Sequence, residues 1–278
     1  MIYVEIMGGL GNQLFQIFCG IAYSIENKVQ FKINANKYDV IHRPTYFKNF
    51  LKNLSEFIIH ETLSIQTYRE NSEFTFEKIP TMSQDFVLFG YYQSYKYFNN
   101  HFDDICKMID LNSQQETIFK KNNLLLSGAK KPISIHFRIG DYIHIKNTHP
   151  ILNIEYYIDS VHYLKTKLPN FEENYYLLIF GEFCDDMQIM YNIEIIKNHT
   201  NIEIIKCDYN IPDYEQLLLM SLCSHNIIAN STFSWWGAYL NKNCNKIVCY
   251  PSKWIGFTDN VLDLFPETWT NTPQRVLP

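Results

Sequence analysis

The chain has little of what would mark a secreted, membrane-spanning or nucleic-acid-binding protein. Its seven cysteines (Cys19, Cys106, Cys184, Cys207, Cys223, Cys244 and Cys249) contain no C-x-x-C pair and are odd in number, which argues against a disulfide framework and a zinc site. No stretch approaches the roughly 18 uninterrupted apolar residues of a membrane span. Residues 1–7 run directly into an apolar segment with no charged leader before it, so nothing there reads as a signal peptide. These absences set the expectation of a cytoplasmic chain, or one trimmed from an anchor, without a transmembrane span. Peripheral membrane association stays open.

Charge is also sparse. Charged residues make up 19 % and the net charge is −5. The basic pairs Lys120-Lys121 and Lys130-Lys131 are too short for a nucleic-acid footprint, so an anionic ligand must be caught by local chemistry. Asp-x-Asp is absent, since Asp103-Asp104 and Asp185-Asp186 are adjacent pairs. No His/Asp/Glu cluster has convincing ligand spacing, and neither a metal nor any other cofactor is expected.

What is present is core material: 278 residues, 46 % hydrophobic, with 20 Tyr and 20 Phe. Most of those rings are read as core, although sugar faces also pack on aromatic rings. Residues 2–7 read as a strand. Gly8-Gly9-Leu10-Gly11 follows, then a helix carrying Leu14, Phe15, Phe18, Ile21, Ala22 and Ile25 at helical spacing. Strands are expected at 29–33 and 86–92 and a helix at 112–127, while 36–85 shows no clean period. In the second half, strand-like runs at 133–137, 175–180, 202–205, 226–229 and 247–250 alternate with helical stretches near 155–168, 185–197, 213–223 and 234–241. Such alternation predicts an α/β fold with mostly parallel sheets. Ligands then bind beyond the carboxyl ends of the strands, which directs attention to the loops after residues 7, 137, 180 and 229. A boundary is expected at 127–131.

In the first of these loops, Gly8-Gly9-Leu10-Gly11-Asn12-Gln13 joins a strand to a helix. It reads as a tight turn or as a ligand loop in which Asn12 and Gln13 offer amide donors at a helix start. A dinucleotide fingerprint from Gly9 fails at its third glycine, where Leu14 stands. In the second loop, His136, Arg138 and Asp141 end an apolar strand. Arg138 offers a planar fork for a diphosphate, and Asp141 either orients it or accepts a proton; a strand-end ion pair beside a core histidine is the plainer alternative. His144 and His149 lie just beyond and are either proton-transfer candidates or surface histidines. In the third, Asp185 and Asp186 serve either as a helix N-cap or as acceptors for the N–H edge of a base. In the fourth, Asn230-Ser231-Thr232-Phe233 precedes Ser234-Trp235-Trp236-Gly237-Ala238, and its hydroxyls and backbone N–H groups suit a phosphate cradle.

His136-x-Arg138-x-Gly140-Asp141-Tyr142, the opening Gly-Gly-Leu-Gly-Asn-Gln and the 230–238 string resemble the α-1,2-fucosyltransferases of glycosyltransferase family 11. Residues 91–98 resemble a further family segment in the first half, and 247–254 its closing strand and P-x-x-W turn. The resemblance implies a GT-B-like fold: two Rossmann-like halves with a cleft between them, 1–128 on the acceptor side and 129–278 binding the donor. It implies an inverting enzyme that moves L-fucose from GDP-β-L-fucose to the 2-hydroxyl of a terminal β-galactose on a glycan. Arg138 inherits the contact to the donor's β-phosphate and His136 a contact to the nucleotide. Asp185 or Asp186 inherits recognition of guanine, and Asn12, Gln13, Asn230, Ser231, Thr232 and Phe233 complete the donor site. His144 and His149 are the acceptor-side candidates. The family's second arginine is replaced here by Ile139. The alternatives are another nucleotide-sugar glycosyltransferase of the same fold, or a non-catalytic protein that binds GDP or a glycan.

Overall fold

A computed structural model describes residues 1–35, 44–71, 73–258, 260–261 and 263–272. The chain forms two compact units: Met1–Gln114 with Asn260–Pro266, and Gln115–Asp259 with Glu267–Pro278. The first unit opens with β1 (Ile2–Glu5), α1 (Leu10–Asn27) and β2 (Phe31–Asn34), followed by the short strands β3 (Ile58–Ile59) and β4 (Thr67–Arg69), then β5 (Phe86–Phe89) and α2 (Phe102–Met108). The units divide inside α3 (Leu111–Lys121). The second unit continues with α4 (Asn123–Leu126), β6 (Lys131–His136), α5 (Ile154–Lys167), α6 (Phe171–Asn174), β7 (Tyr175–Phe180), α7 (Asp186–His199), β8 (Glu203–Lys206), α8 (Asp213–Ser221), β9 (His225–Ile227), α9 (Thr232–Tyr239), β10 (Val248–Pro251) and β11 (Thr270–Thr272).

Each unit is built on a parallel sheet, as the alternation predicts. In the first, the order is β3-β2-β1-β5-β4, with Val4 opposite Ile33 and Leu88. Helix α1 is buried almost all round, from Leu10 to Ser24. Its Gly20 permits that closeness, since a Cβ there would sit 2.1 Å from the Val4 side chain. The helix ends at Lys28, whose φ of 53° closes a left-handed cap with its N–H on Ile25 and Ser24 carbonyls. In the second unit the order is β11-β10-β9-β6-β7-β8. Here β6 and β7 run in register from Lys131↔Tyr175 to His136↔Phe180. Ile133, Ile135, Leu177, Ile179 and Ile227 from these strands meet Tyr156, Val161 and Leu164 of α5 and Ile189, Ile193 and Ile196 of α7 in one core. Each such side chain stabilises the fold by about 1.5–3 kcal/mol, which is why these strands read as unbroken apolar runs.

The sheet orders fix where ligands can approach. From β6 the chain builds outward through β7 and β8 on one side, then returns to β9, β10 and β11 on the other. The reversal lies between β6 and β9, and the crevice beyond their carboxyl ends is the switch point of such a sheet. The first unit also changes side at β1, but there the chain reaches the edge strand β4 before β5 fills the place between it and β1.

Two expected elements are shorter than their sequence suggests. The 112–127 helix breaks at Asn122, whose side-chain amide donates to the Ile118 carbonyl at 2.9 Å and competes with the helical ladder. The 86–92 strand stops at Phe89 because a carboxylate, Glu70, takes the Tyr91 and Tyr92 N–H groups. Among the described residues no helix is long and apolar enough to cross a membrane.

Candidate functional site

The loops that leave β6 and β9 at the switch point hold the residues expected from sequence. Arg138 lies two residues beyond β6 and is largely buried. Its guanidinium is divided between two carboxylates: Nη2 donates to Asp141 at 2.5 Å, and Nη1 pairs with Glu182. The guanidinium also sits 5.0 Å from the Tyr142 ring centroid, within cation–π range. Burial opposes the Arg138 charge, but Glu182 and Asp141 outweigh it and raise the pKa above its ordinary value. Arg138 is therefore a permanent cation whose charge is already matched.

Glycine makes this cluster fit. Gly140 has φ of +27°, and its N–H donates to Asp185 Oδ2 at 2.7 Å. A Cβ at Gly140 would press to 3.3 Å from a Glu182 carboxylate oxygen. Asp185 precedes α7 but makes no side-chain cap bond, so the capping alternative is not what the structure has; the carboxylate instead braces the Arg138 loop. Asp186 sits in the first turn of α7, bonded to Lys206 at 2.5 Å and the Tyr209 hydroxyl at 2.7 Å. Those bonds from Lys206 and Tyr209 lower its pKa.

His136 ends β6 and is buried, its ring 5.6 Å from that of Phe233. Burial first, and the Arg138 charge second, push its pKa down to about 3. It is a neutral ring at neutral pH, and its Nδ1 has no partner among the described residues. Ile139, where the family carries a second arginine, is buried in the core of the second unit. At this position the chain supplies packing rather than charge.

Asn230, beyond β9, uses its side-chain amide on the Pro150 carbonyl at 2.8 Å and the Trp254 carbonyl at 3.2 Å. Its own carbonyl accepts the Tyr142 hydroxyl at 3.0 Å. Tyr142 thus links the β6 and β9 loops. Ser231 is the N-cap residue of α9 and makes no side-chain cap bond. Thr232 and Phe233 form the first turn of α9, where the helix N-terminus favours an anion. Both Trp235 and Trp236 are fully buried, so neither is a ligand platform.

The 143–153 loop is tied down. His149 N–H donates to the Ile145 carbonyl at 2.8 Å, Gly256 N–H to Thr148 at 2.8 Å, and Asn230 to Pro150. Gly256 lies so close that a Cβ would fall 1.7 Å from the Asn147 carbonyl oxygen. His149 stacks on Tyr142 with centroids 4.8 Å apart. Its pKa is lowered, by burial first; Asp141 pulls it up and Arg138 pushes it down. His144 is exposed on a short turn in the same loop.

Asn12 and Gln13 belong to the first unit. Gly8, at φ +78°, gives up a Cβ that would lie 2.5 Å from Asn12 Nδ2. Asn12 Oδ1 accepts from Gln93 at 3.1 Å. Gln13 is fully buried, and its amide donates to Gly8 at 3.3 Å and Pro44 at 2.9 Å, so it shapes the loop.

Sequence reasoning missed Glu182 and Tyr142 as members of the Arg138 cluster. Tyr142 carried a signal, standing four residues after Arg138. Glu182 carried none, because it reaches Arg138 across 44 residues. Among the described residues, Glu182, Cys184 and Asp185 form one group with metal-ligating atoms within 4.8 Å of one another. Glu182 is committed to Arg138 and Asp185 to Gly140.

Comparison with known proteins gives these strings a family. The family model described as Glycosyl transferase family 11 matches residues 51–255. An alpha-1,2-colitosyltransferase from Escherichia coli is 28 % identical across 97 % of this chain and 98 % of the relative. An O-antigen biosynthesis glycosyltransferase, WbnK, also from Escherichia coli, is 31 % identical over 67 % of this chain and 60 % of its own length. A galactoside 2-alpha-L-fucosyltransferase from Caenorhabditis elegans is 25 % identical over 97 % and 78 %. Among solved structures, the NodZ alpha-1,6-fucosyltransferase co-crystallised with GDP aligns at a TM-score of 0.48 and 8 % identity, covering 86 % of this chain and 91 % of that one. The match over most of its length makes this chain a member of glycosyltransferase family 11.

Proposed function

We propose that the protein transfers L-fucose from GDP-β-L-fucose to the 2-hydroxyl of a terminal β-galactose, with inversion to an α-1,2 linkage and without a metal or other cofactor. The observation that carries the reading is Arg138 in the loop beyond β6, a planar cation held by Asp141 and Glu182 and packed on Tyr142, which bonds the Asn230 carbonyl beyond β9. In the reaction the acceptor oxygen bonds to the anomeric carbon as the bond from that carbon to the β-phosphate oxygen breaks. GDP keeps the electron pair. Arg138 and the Ser231–Phe233 N–H groups stabilise the charge that grows there. Asp141 and Glu182 orient the fork and yield it to the diphosphate. The guanine edge falls to Asp186 or Asp185, with His136 as a neutral neighbour.

The acceptor's proton goes to His149, whose pKa burial lowers, because the Asp141 carboxylate is already engaged with Arg138. If the acid limb of the kcat profile persists unchanged in His149→Gln, the proton acceptor is Asp141 instead. Engagement of Glu182 and Asp185 with Arg138 and Gly140 supports the metal-free reading, and undiminished turnover in chelator tests it. A cytoplasmic setting is supported by seven cysteines that are all free thiols.

A second reading is transfer of colitose, favoured by the relative of that name aligned along 97 % of this chain. Competition between GDP-fucose and nucleotide-activated colitose for one galactoside separates the two. Preference for GDP-fucose supports the first reading; exclusive use of colitose overturns it.

A further inference from the structure

Helix α7 carries apolar side chains on two faces, and the second unit covers only one of them. Ile189, Ile193 and Ile196 are buried in the core. On the opposite face Met187, Met190 and Tyr191 are exposed, Met187 by 87 % and Tyr191 by 62 %. Phe183, in the short turn that leads into the helix, is exposed by 76 % and continues the row. The row starts from a fixed point: the Phe183 ring packs edge-on against Tyr209 with centroids 5.8 Å apart, and the Tyr209 hydroxyl donates to Asp186 at 2.7 Å.

Positions 183, 187, 190 and 191 follow the three-and-four spacing of one helix face. A surface helix ordinarily turns charged and polar residues to solvent on the face away from the core. Single exposed apolar residues need no explanation, but a contiguous row of large ones marks an interaction surface. Leu124 makes the contrast: it is exposed by 92 %, yet it stands in a four-residue helix and belongs to no such row.

The charges along α7 select the occupant. The helix starts acidic, at Glu182, Asp185 and Asp186, and ends basic, at Lys197 and His199. Two such helices laid antiparallel bring the basic end of each to the acidic end of the other, and their macrodipoles oppose favourably. A two-fold axis midway between Met187 and Tyr191 sets Met187 of one copy against Tyr191 of the other, so that each row covers its twin. Glu194, exposed on the same face, is carried toward the acidic turn of the second copy, so its removal should tighten the pair. That carboxylate also disfavours an anionic lipid surface.

We propose that this face of α7 is a self-association surface, through which two copies of the chain pair antiparallel about a two-fold axis with Met187 and Tyr191 at its centre. The inference is independent of which sugar is transferred. The test is sedimentation velocity of the full chain in reductant over a micromolar concentration series. Wild type is compared with Met187→Glu, Tyr191→Glu, Lys197→Glu, Glu194→Gln and Leu124→Glu, with thermal unfolding of each. Wild type should reach the dimer mass. Its dimer Kd should rise roughly tenfold or more in Met187→Glu and Tyr191→Glu and roughly threefold in Lys197→Glu, fall in Glu194→Gln, and stay unchanged in Leu124→Glu. The proposal is overturned if wild type is monomeric throughout, if Met187→Glu and Tyr191→Glu dimerise as wild type does, or if Leu124→Glu breaks the dimer equally. A Kd that ignores both Lys197→Glu and Glu194→Gln overturns the antiparallel pairing. A monomer that binds vesicles of anionic phospholipid through Met187 gives the row to a lipid surface instead. Should Met187→Glu unfold, Tyr191→Glu decides.

Discussion

Both units are built on a parallel sheet, yet the loops at the carboxyl ends of their strands are furnished in opposite fashion. Beyond β6 and β9 a buried cation is answered twice over, by Asp141 and Glu182. Beyond the edge strand β4 a half-buried carboxylate, Glu70, accepts two backbone amides on one oxygen, and its other oxygen is buried without a partner among the described residues. An ion-paired arginine must exchange partners to bind an anion, so its carboxylates set how strongly it competes for a phosphate. A half-satisfied carboxylate needs no exchange and waits for a donor. The first arrangement fits a charged leaving group.

The sharpest way to break that comparison is to remove the cation. Arg138→Ala leaves Asp141 and Glu182 facing each other and takes the main charge from the leaving group. Steady-state transfer should fall at least 100-fold in kcat/KM, on the order of 2.7 kcal/mol. Retention of more than about a tenth of the activity, a loss under roughly 1.4 kcal/mol, contradicts the phosphate role.

Stability against pH should divide the two regions by sign. His136 titrates near 6.5 when unfolded and at about 3 when folded. Between those values the unfolded chain holds one more proton, so stability is lost as pH falls, by about 1.4 kcal/mol per pH unit. Glu70 runs the other way. Its folded pKa lies above the ordinary 4.5, so its contribution is complete below that value and is lost as pH rises through the folded pKa. Denaturant unfolding across pH should show a shallower acid-side slope in His136→Gln and a shallower opposing slope in Glu70→Gln. Unchanged slopes would show that neither group is buried as described.

Gly256→Ala probes the loop that carries His149. The obstacle is the Asn147 backbone, 1.7 Å from the new Cβ, so the segment must shift. Thermal unfolding should report a loss of about 1–3 kcal/mol, with kcat falling as His149 leaves Tyr142. Wild-type kcat in this variant would remove the loop from the reaction.

The smallest expected effect is the most specific. Glu182→Gln frees one arm of Arg138 and removes one negative charge near the phosphate. A contact between unit charges is worth about 1 kcal/mol in water-like surroundings, so GDP should bind roughly fivefold tighter at low salt. Weaker binding would mean that Glu182 serves mainly to orient the fork.

The second unit was the more legible in sequence. Its strands at 133–137 and 175–180 are buried on both faces and so read as unbroken apolar runs. Strands β3, β4 and β11 are only two or three residues long, and β4 exposes two of its three residues, so no period marks them. The same principle separates the site residues. Arg138 and Asp141 are neighbours in sequence and could be paired on spacing. Glu182 and Glu70 act through contacts that only the sheet brings together, and Glu70 lies in the stretch with no readable period. The mutual closure of Asn230, Pro150 and Trp254 was likewise invisible in the sequence.

The most direct test of the central claim is calorimetric titration of GDP and of guanosine into wild type and Arg138→Ala, in chelator. If Arg138 is the diphosphate ligand, the variant loses at least tenfold in GDP affinity and keeps its guanosine affinity. Equal GDP affinity in the two proteins, or a parallel loss for guanosine, would contradict it.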